Sequence, residues 1–202
     1  LERLMALQPG NARAFTLLLR IAQKGGAKQE ELIKMTEAQL AKAPQSGGLH
    51  MLLANQLLAA QQPDKALALY QKAQDLEPEN LQAYAGSARI LAKQGKTDLA
   101  VAEYKDLLAK RPNALGAYMG LGSLYEQSGK RELAKEAYQK ALAIKPEFAP
   151  AANNLAWLIA EGPNPDLGEA LRLALLAKQQ QPEEAHILET LGRVYYKRES
   201  YS

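Results

Sequence analysis

Residues 81–112 read LQAYAGSARILAKQGKTDLAVAEYKDLLAKRP, and residues 115–146 read LGAYMGLGSLYEQSGKRELAKEAYQKALAIKP. Laid over each other at an offset of 34 residues, Tyr84 meets Tyr118, Gly95 meets Gly129, Ala100 meets Ala134, Tyr104 meets Tyr138, and Pro112 meets Pro146. A fixed period of this size is the mark of a stacked array, in which each unit buries its apolar face only against its neighbours. The frame extends back to Pro78 and Pro44 at the same 34-residue spacing, then to Pro9 at 35 and forward to Pro182 at 36.

Counting each proline as position 32 of a unit, new units start at Ala12, Gly47, Leu81, Leu115, Ala149 and Ala185. The units are thus 12–46, 47–80, 81–114, 115–148 and 149–184, with partial units at 1–11 and 185–202. Each full unit holds two short helices joined by a tight turn, which predicts about twelve helices, counting a partial one over residues 1–8 that ends at Pro9. The turn falls at Gly25-Gly26, Gly95 and Gly129, with Gln61-Gln62-Pro63-Asp64 doing the same work in the second unit and Pro63 opening the next helix. A wider loop, Glu161–Asp166, carries two extra residues, with Asp166 placed to cap the helix that follows. The chain does not begin with Met, and it leaves at Ser202 in mid-repeat, so it is expected to be a piece of a longer protein.

Composition narrows the classes. Hydrophobic residues make up 47% of the 202, rich in Ala and Leu, which suits helices throughout. The net charge of +3 lies too near balance to argue for nucleic acid or an anionic membrane surface. There is no cysteine, hence no disulfide framework or thiolate chemistry, and cytoplasm and periplasm both remain open. No run of 18 apolar residues exists to cross a membrane.

Helices this short are marginal alone, so packing must hold them. Position 8 is always small (Ala54, Ala88, Gly122, Ala156, Gly192), and so is position 20 (Ala66, Ala100, Ala134, Ala170), which lets paired helices approach closely. Around them stand Leu53, Leu121, Leu155 and Leu191 at position 7, and Leu57, Leu91, Tyr125, Ile159 and Tyr195 at position 11. Tyr70, Tyr104 and Tyr138 at position 24 are expected to wedge against the following unit.

This set of residues, with Ala at position 27 and Pro at 32, resembles the tetratricopeptide repeat (TPR) family over essentially the whole chain, most strongly over 47–146. The resemblance implies an all-α fold, a right-handed superhelical solenoid of antiparallel helix pairs whose first helices line a concave groove. It also implies a protein-binding scaffold without catalytic activity or cofactor. Residues 148–201, including AANNLAWLIAEGPNPDLGEALRLA and ETLGRVYYKRESY, look like the carboxy-terminal repeats of large bacterial TPR proteins, some serving exopolysaccharide export or PEP-CTERM-type sorting. That implies a bacterial source.

At about 100° per residue, positions 2, 5, 6, 9, 12 and 13 of each first helix fall opposite the packing face. The groove candidates are therefore Arg13, Thr16, Arg20, Met51, Asn55, Arg89, Met119, Ser123, Asn153, Trp157, Arg193 and Tyr196. Position 6 includes Gly86 and Gly120, explained either by clearance for a bound backbone or by close helix packing. The charges on these positions sum to +4, concentrated towards the amino-terminal half (Arg13, Arg20, Lys24, Arg89, Lys93). The expected ligand is an extended or helical protein segment bearing acidic groups; the alternative is that these arginines are solvated ends of amphipathic helices. The carboxylate clamp of chaperone-binding TPR domains is not reproduced: the corresponding residues are Met51, Asn55, Gly86, Gly116 and Gly120, and only Asn55 matches.

Enzymatic readings find little. His50 stands at a packing position, and His186 with Glu189 makes no metal site without further ligands. Gly120 and Gly122 lie inside a helix, not after a strand, and two histidines so placed build no hydrolytic triad. The expected partner is another protein or peptide, not nucleic acid and not a membrane. The competing expectation is a structural module that self-associates, for instance as a homodimer through terminal repeats, because Leu188, Leu191 and Tyr195 lack a following helix.

Overall fold

Each proline-bounded unit folds into a pair of helices, and the helices begin at the residues that the frame picks out. The computed structural model describes residues 7–201, so most of the helical ending expected over residues 1–8 lies outside the described residues. Among the described residues there are eleven helices and no strand: α1 (Ala12–Lys24), α2 (Gln29–Lys42), α3 (Gly47–Ala59), α4 (Pro63–Leu76), α5 (Leu81–Lys93), α6 (Thr97–Lys110), α7 (Leu115–Gln127), α8 (Arg131–Ile144), α9 (Ala149–Ala160), α10 (Leu167–Gln180) and α11 (Ala185–Tyr201). They group into two compact units divided after Pro112, one holding α1–α6 and the other α7–α11.

Local chemistry sets the ends of the helices. Asn11, Ser46, Asn80 and Asp166 accept backbone N–H bonds at the starts of α1, α3, α5 and α10, at 3.0 Å in the case of Asp166 Oδ1 from Glu169. The turns need a left-handed residue, and Gly26, Gly95 and Gly129 supply it with φ of +97°, +75° and +68°. Where the second unit has no glycine, Gln61 takes that conformation itself (φ +57°), a strain of about 1–2 kcal/mol for a residue with a Cβ.

Packing follows the small residues. Ala66, Ala100, Ala134 and Ala170 are fully buried, as are Ala54 and Ala156, so the two helices of each pair close on an alanine seam. In the first unit, Leu53, Leu57, Tyr70 and Ile90 form one cluster and Phe15, Leu19, Leu32 and Leu49 another. Each such side chain contributes roughly 1.5–3 kcal/mol on burial. Consecutive helices pack within each unit, and α1 also touches α3, as α9 touches α11. His50 is a core histidine, 8% exposed, its Nδ1 donating to the Ser46 carbonyl at 2.9 Å.

One open choice is settled and one expectation is corrected. Gly86 gives no clearance for a ligand: it is buried, and a Cβ there would stand 2.5 Å from the Tyr70 ring. Close packing is the reason for that glycine, and Tyr70 does wedge against the following repeat. Tyr138 lays its ring on Gly122 of its own repeat, and its hydroxyl also meets Asn154 of the following repeat. Finally, Leu191 is not left without a partner. Ile187, Leu191 and Val194 are buried, whereas Leu188 and Tyr195 are 42% and 46% exposed.

Candidate functional site

In the first unit the candidate face is built by α1, α3 and α5, whose opposite sides are fixed by the buried clusters. Arg13, Arg20, Asn55 and Arg89 are exposed, and Thr16 and Met51 are half-buried. Arg13, Thr16, Met51 and Asn55 come together around one open cavity of about 620 Å³, completed by Asn80 and Gln82 among others. Arg20 and Arg89 are not among its lining residues. A cleft of similar volume at Glu77–Gln82 and Arg111 lies on the connection between repeats and includes none of the candidates.

Two second-helix tyrosines support this face. The Tyr70 hydroxyl donates to Asn55 Oδ1 at 2.6 Å, which orients the Asn55 amide and leaves its N–H₂ to donate elsewhere. Burial raises the pKa of both Tyr70 and Tyr104, and the Arg89 guanidinium beside them works in the opposite direction without overturning it. Both phenols therefore stay neutral donors at physiological pH. Among the described residues no carboxylate forms an ion pair with Arg13, Arg20 or Arg89, and Glu77 is the carboxylate on the cavity that Arg13 lines.

In the second unit the face is built by α7, α9 and α11, and its chemistry differs. Asn153 and Trp157 line a cavity of about 270 Å³ with Glu126, Asn154, His186, Glu189 and Thr190. Asn153, expected to be open to solvent, is only 5% exposed because α11 covers that side of α9. Ser123 is exposed and accepts from Gln127 at 3.1 Å; Met119 is half-buried; neither lines the cavity. Arg193 and Tyr196 also stand outside it, and Tyr196 is 65% exposed.

Arg193 is not an unpaired groove cation. Its Nε lies 2.9 Å from Glu161 Oε1, while Lys197 Nζ lies 3.0 Å from Glu161 Oε2 and donates to the Ala160 carbonyl at the end of α9. The Arg193 hydrogen bond, opposed by burial and aided by Lys197, holds the Glu161 carboxyl below the usual glutamate range. The Tyr138 phenol is raised well above its ordinary value by burial and then by the Glu126 carboxylate, to which its hydroxyl donates.

Sequence reading passed over a second polar feature. Ser87, fully buried at position 7 where other units carry Leu, donates to Glu103 Oε2 at 2.7 Å and accepts from Gln74 at the same distance. The serine among leucines was the signal for this tie between α4, α5 and α6. Among the described residues no group of three His, Cys, Asp or Glu could hold a metal ion, and no helix is long and apolar enough to cross a membrane.

Comparison with known proteins agrees with the geometry. Tetratricopeptide repeat family models match residues 57–123 and 115–148. No curated protein matches the sequence. Among solved structures, PilF of Pseudomonas aeruginosa is similar at 22% identity and a TM-score of 0.70, over 93% of this chain and 86% of that one. A thermophilic TPR protein of Thermus thermophilus is 19% identical with a TM-score of 0.65, over 92% and 99% of the two chains. YrrB, a TPR protein with an unusual peptide-binding site, is 16% identical with a TM-score of 0.60, over 93% and 95%. Identities of this size show the fold, an all-α solenoid of helix pairs.

Proposed function

Because residues 57–123 and 115–148 match tetratricopeptide repeat family models, we propose that the chain is a scaffold that holds a segment of a partner protein against its first helices. Such repeats generally act in protein–protein interaction. One observation carries the finer reading: Arg13, Arg20 and Arg89 stand exposed on first helices of one unit with no carboxylate partner among the described residues. Arg13 opens onto a cavity of about 620 Å³ whose other walls include Thr16, Met51 and Asn55, which offer a hydroxyl, a thioether and an amide, and one carboxylate, Glu77. A segment with Asp or Glu side chains would meet charge at the arginines and adaptable apolar contact at Met51. The peptide-binding site of the structurally similar YrrB supports a peptide ligand here. The finer form of the reading takes the partner from a bacterial export or sorting pathway, as the phrasing of residues 148–201 suggests.

Selection from a random peptide display library tests the reading. The protein is expected to retain peptides enriched in Asp and Glu, and the retained pool should dissociate as salt rises towards about 1 M, where the screening length falls to about 3 Å. Joint replacement Arg20→Glu and Arg89→Glu should remove or invert the enrichment with helicity unchanged. An identical pool from both proteins would refute the acidic ligand.

A second reading, self-association, is favoured by one observation on α11. Leu188 and Tyr195 are exposed, and nothing lies within 4 Å of where a Gly192 Cβ would be. Light scattering decides it: a monomer at tens of micromolar would end that reading.

A further inference from the structure

The cavity between α7, α9 and α11 carries the opposite chemistry to the arginine face of the first unit. We propose that it receives a cationic side chain, lysine or arginine, from a bound segment. At about 270 Å³ it is of side-chain size, below the range of pockets for whole small molecules. One wall is Trp157, 36% exposed, whose aromatic face attracts an alkylammonium or guanidinium group. Glu126 and Glu189 supply two carboxylates on the same cavity, and among the described residues no cation pairs with either.

The cations near this face are committed elsewhere, since Arg193 and Lys197 both bond Glu161. Glu126 is held in place by the Tyr138 hydroxyl, so its position does not depend on a ligand. A further observation points independently to a donor from outside. Asn153 lines the cavity at 5% exposure, and its Oδ1 has no hydrogen-bond partner. A buried amide oxygen left unpaired is costly, and a ligand N–H satisfies it. The arrangement is thus a three-acceptor, one-aromatic receptor for a positively charged donor. This deepens the scaffold reading for the second unit and rests on it only for where the side chain comes from.

The chain has a single tryptophan, so tryptophan emission, excited beyond the absorption of the nine tyrosines, reports on this cavity alone. The probes are acetyl-Gly-Gly-Lys-Gly-Gly-amide and its arginine counterpart, titrated at a pH of about 8, below the ordinary lysine pKa of about 10.4, so that both stay cationic. The control replaces lysine with norleucine, which keeps the alkyl chain and removes the charge. A saturable change in Trp157 emission is expected with lysine, arginine or both, and the pair shows whether alkylammonium or guanidinium is preferred. The control should give none. Glu189→Gln, on an exposed side chain, and Glu126→Gln, which keeps an acceptor for Tyr138, should each raise the half-saturating concentration about two- to fivefold. The double variant should abolish the change while circular dichroism stays the same. No saturable change with either cation, an equal response to norleucine, or binding untouched in the double variant would overturn the proposal. Because no partner protein is used, failure here leaves the acidic-ligand reading of the first unit standing, and failure there leaves this one standing.

Discussion

Three glycines in mid-helix show how little a residue's repeat position says until its neighbour is known. Gly122 and Gly192 share position 8, yet a Cβ on the first would collide with the buried Tyr138 ring and a Cβ on the second would meet nothing within 4 Å. Replacing a mid-helix glycine by alanine gains about 1 kcal/mol of helix propensity. At Gly122 that gain is opposed by overpacking of about 1–3 kcal/mol, since a fully buried ring must move. Gly192→Ala should therefore stabilise the protein by up to about 1 kcal/mol. Gly122→Ala should destabilise it by up to about 2 kcal/mol, and urea denaturation of the two variants reads the opposite signs. Gly86, with the Tyr70 ring 2.5 Å from a notional Cβ, belongs with Gly122.

Among the elements, α11 is the most informative, because its packing and its ion pairs can be separated. Ile187, Leu191 and Val194 bury against the preceding pair, and near its carboxy-terminal end Arg193 and Lys197 clasp Glu161 in the loop after α9. Lys197 also places a cation at the negative end of the α9 dipole. The depressed pKa of Glu161 fixes the sign of the pH dependence. Its contribution is complete above the ordinary glutamate range and is lost as pH falls through the lower folded-state value. Protection factors at the end of α11, exchange rates referred to the unstructured chain at the same pH, should therefore fall on acidification from pH about 5 to about 3, and in Glu161→Gln they should be low across that range. A variant whose α11 exchange keeps the same acid dependence without Glu161 would contradict this assignment. The alanine seams belong to the same scale: Ala134, with no exposed surface, leaves no room for a larger side chain.

At the scale of the molecule, a chain of repeats is stabilised by nearest neighbours, so damage should stay local. Ala134→Leu should cost about 1–3 kcal/mol by overpacking the α7–α8 seam. Hydrogen exchange mapped along the chain should show the loss in α7–α9 ahead of α1–α3. Uniform acceleration everywhere would mean a single cooperative unit instead. The two candidate faces divide the chemistry between the units: exposed arginines with no ion pair among the described residues in the first, carboxylates with a tryptophan in the second. Net charge alone, at +3, gave no hint of that division.

What could be read from the chain was whatever repeats. Proline at every thirty-fourth residue or so, glycine in the turns, and alanine or glycine at position 8 with alanine at position 20 dictate where helices start, stop and touch, because these residues act through backbone conformation and side-chain volume. Those properties belong to the residue itself, so the helix starts at Gly47, Leu81, Leu115, Ala149 and Ala185 follow from spacing. What the spacing left open depends on which partner each side chain meets. Whether Gly86 clears space for a ligand or for Tyr70, whether Arg193 faces a ligand or Glu161, and whether Asn153 is open or enclosed were settled by neighbours 16 to 37 residues away. A periodic pattern fixes the face a residue occupies, but its charge and hydrogen bonds are fixed by what packs against that face, and only the tertiary structure brings those groups together.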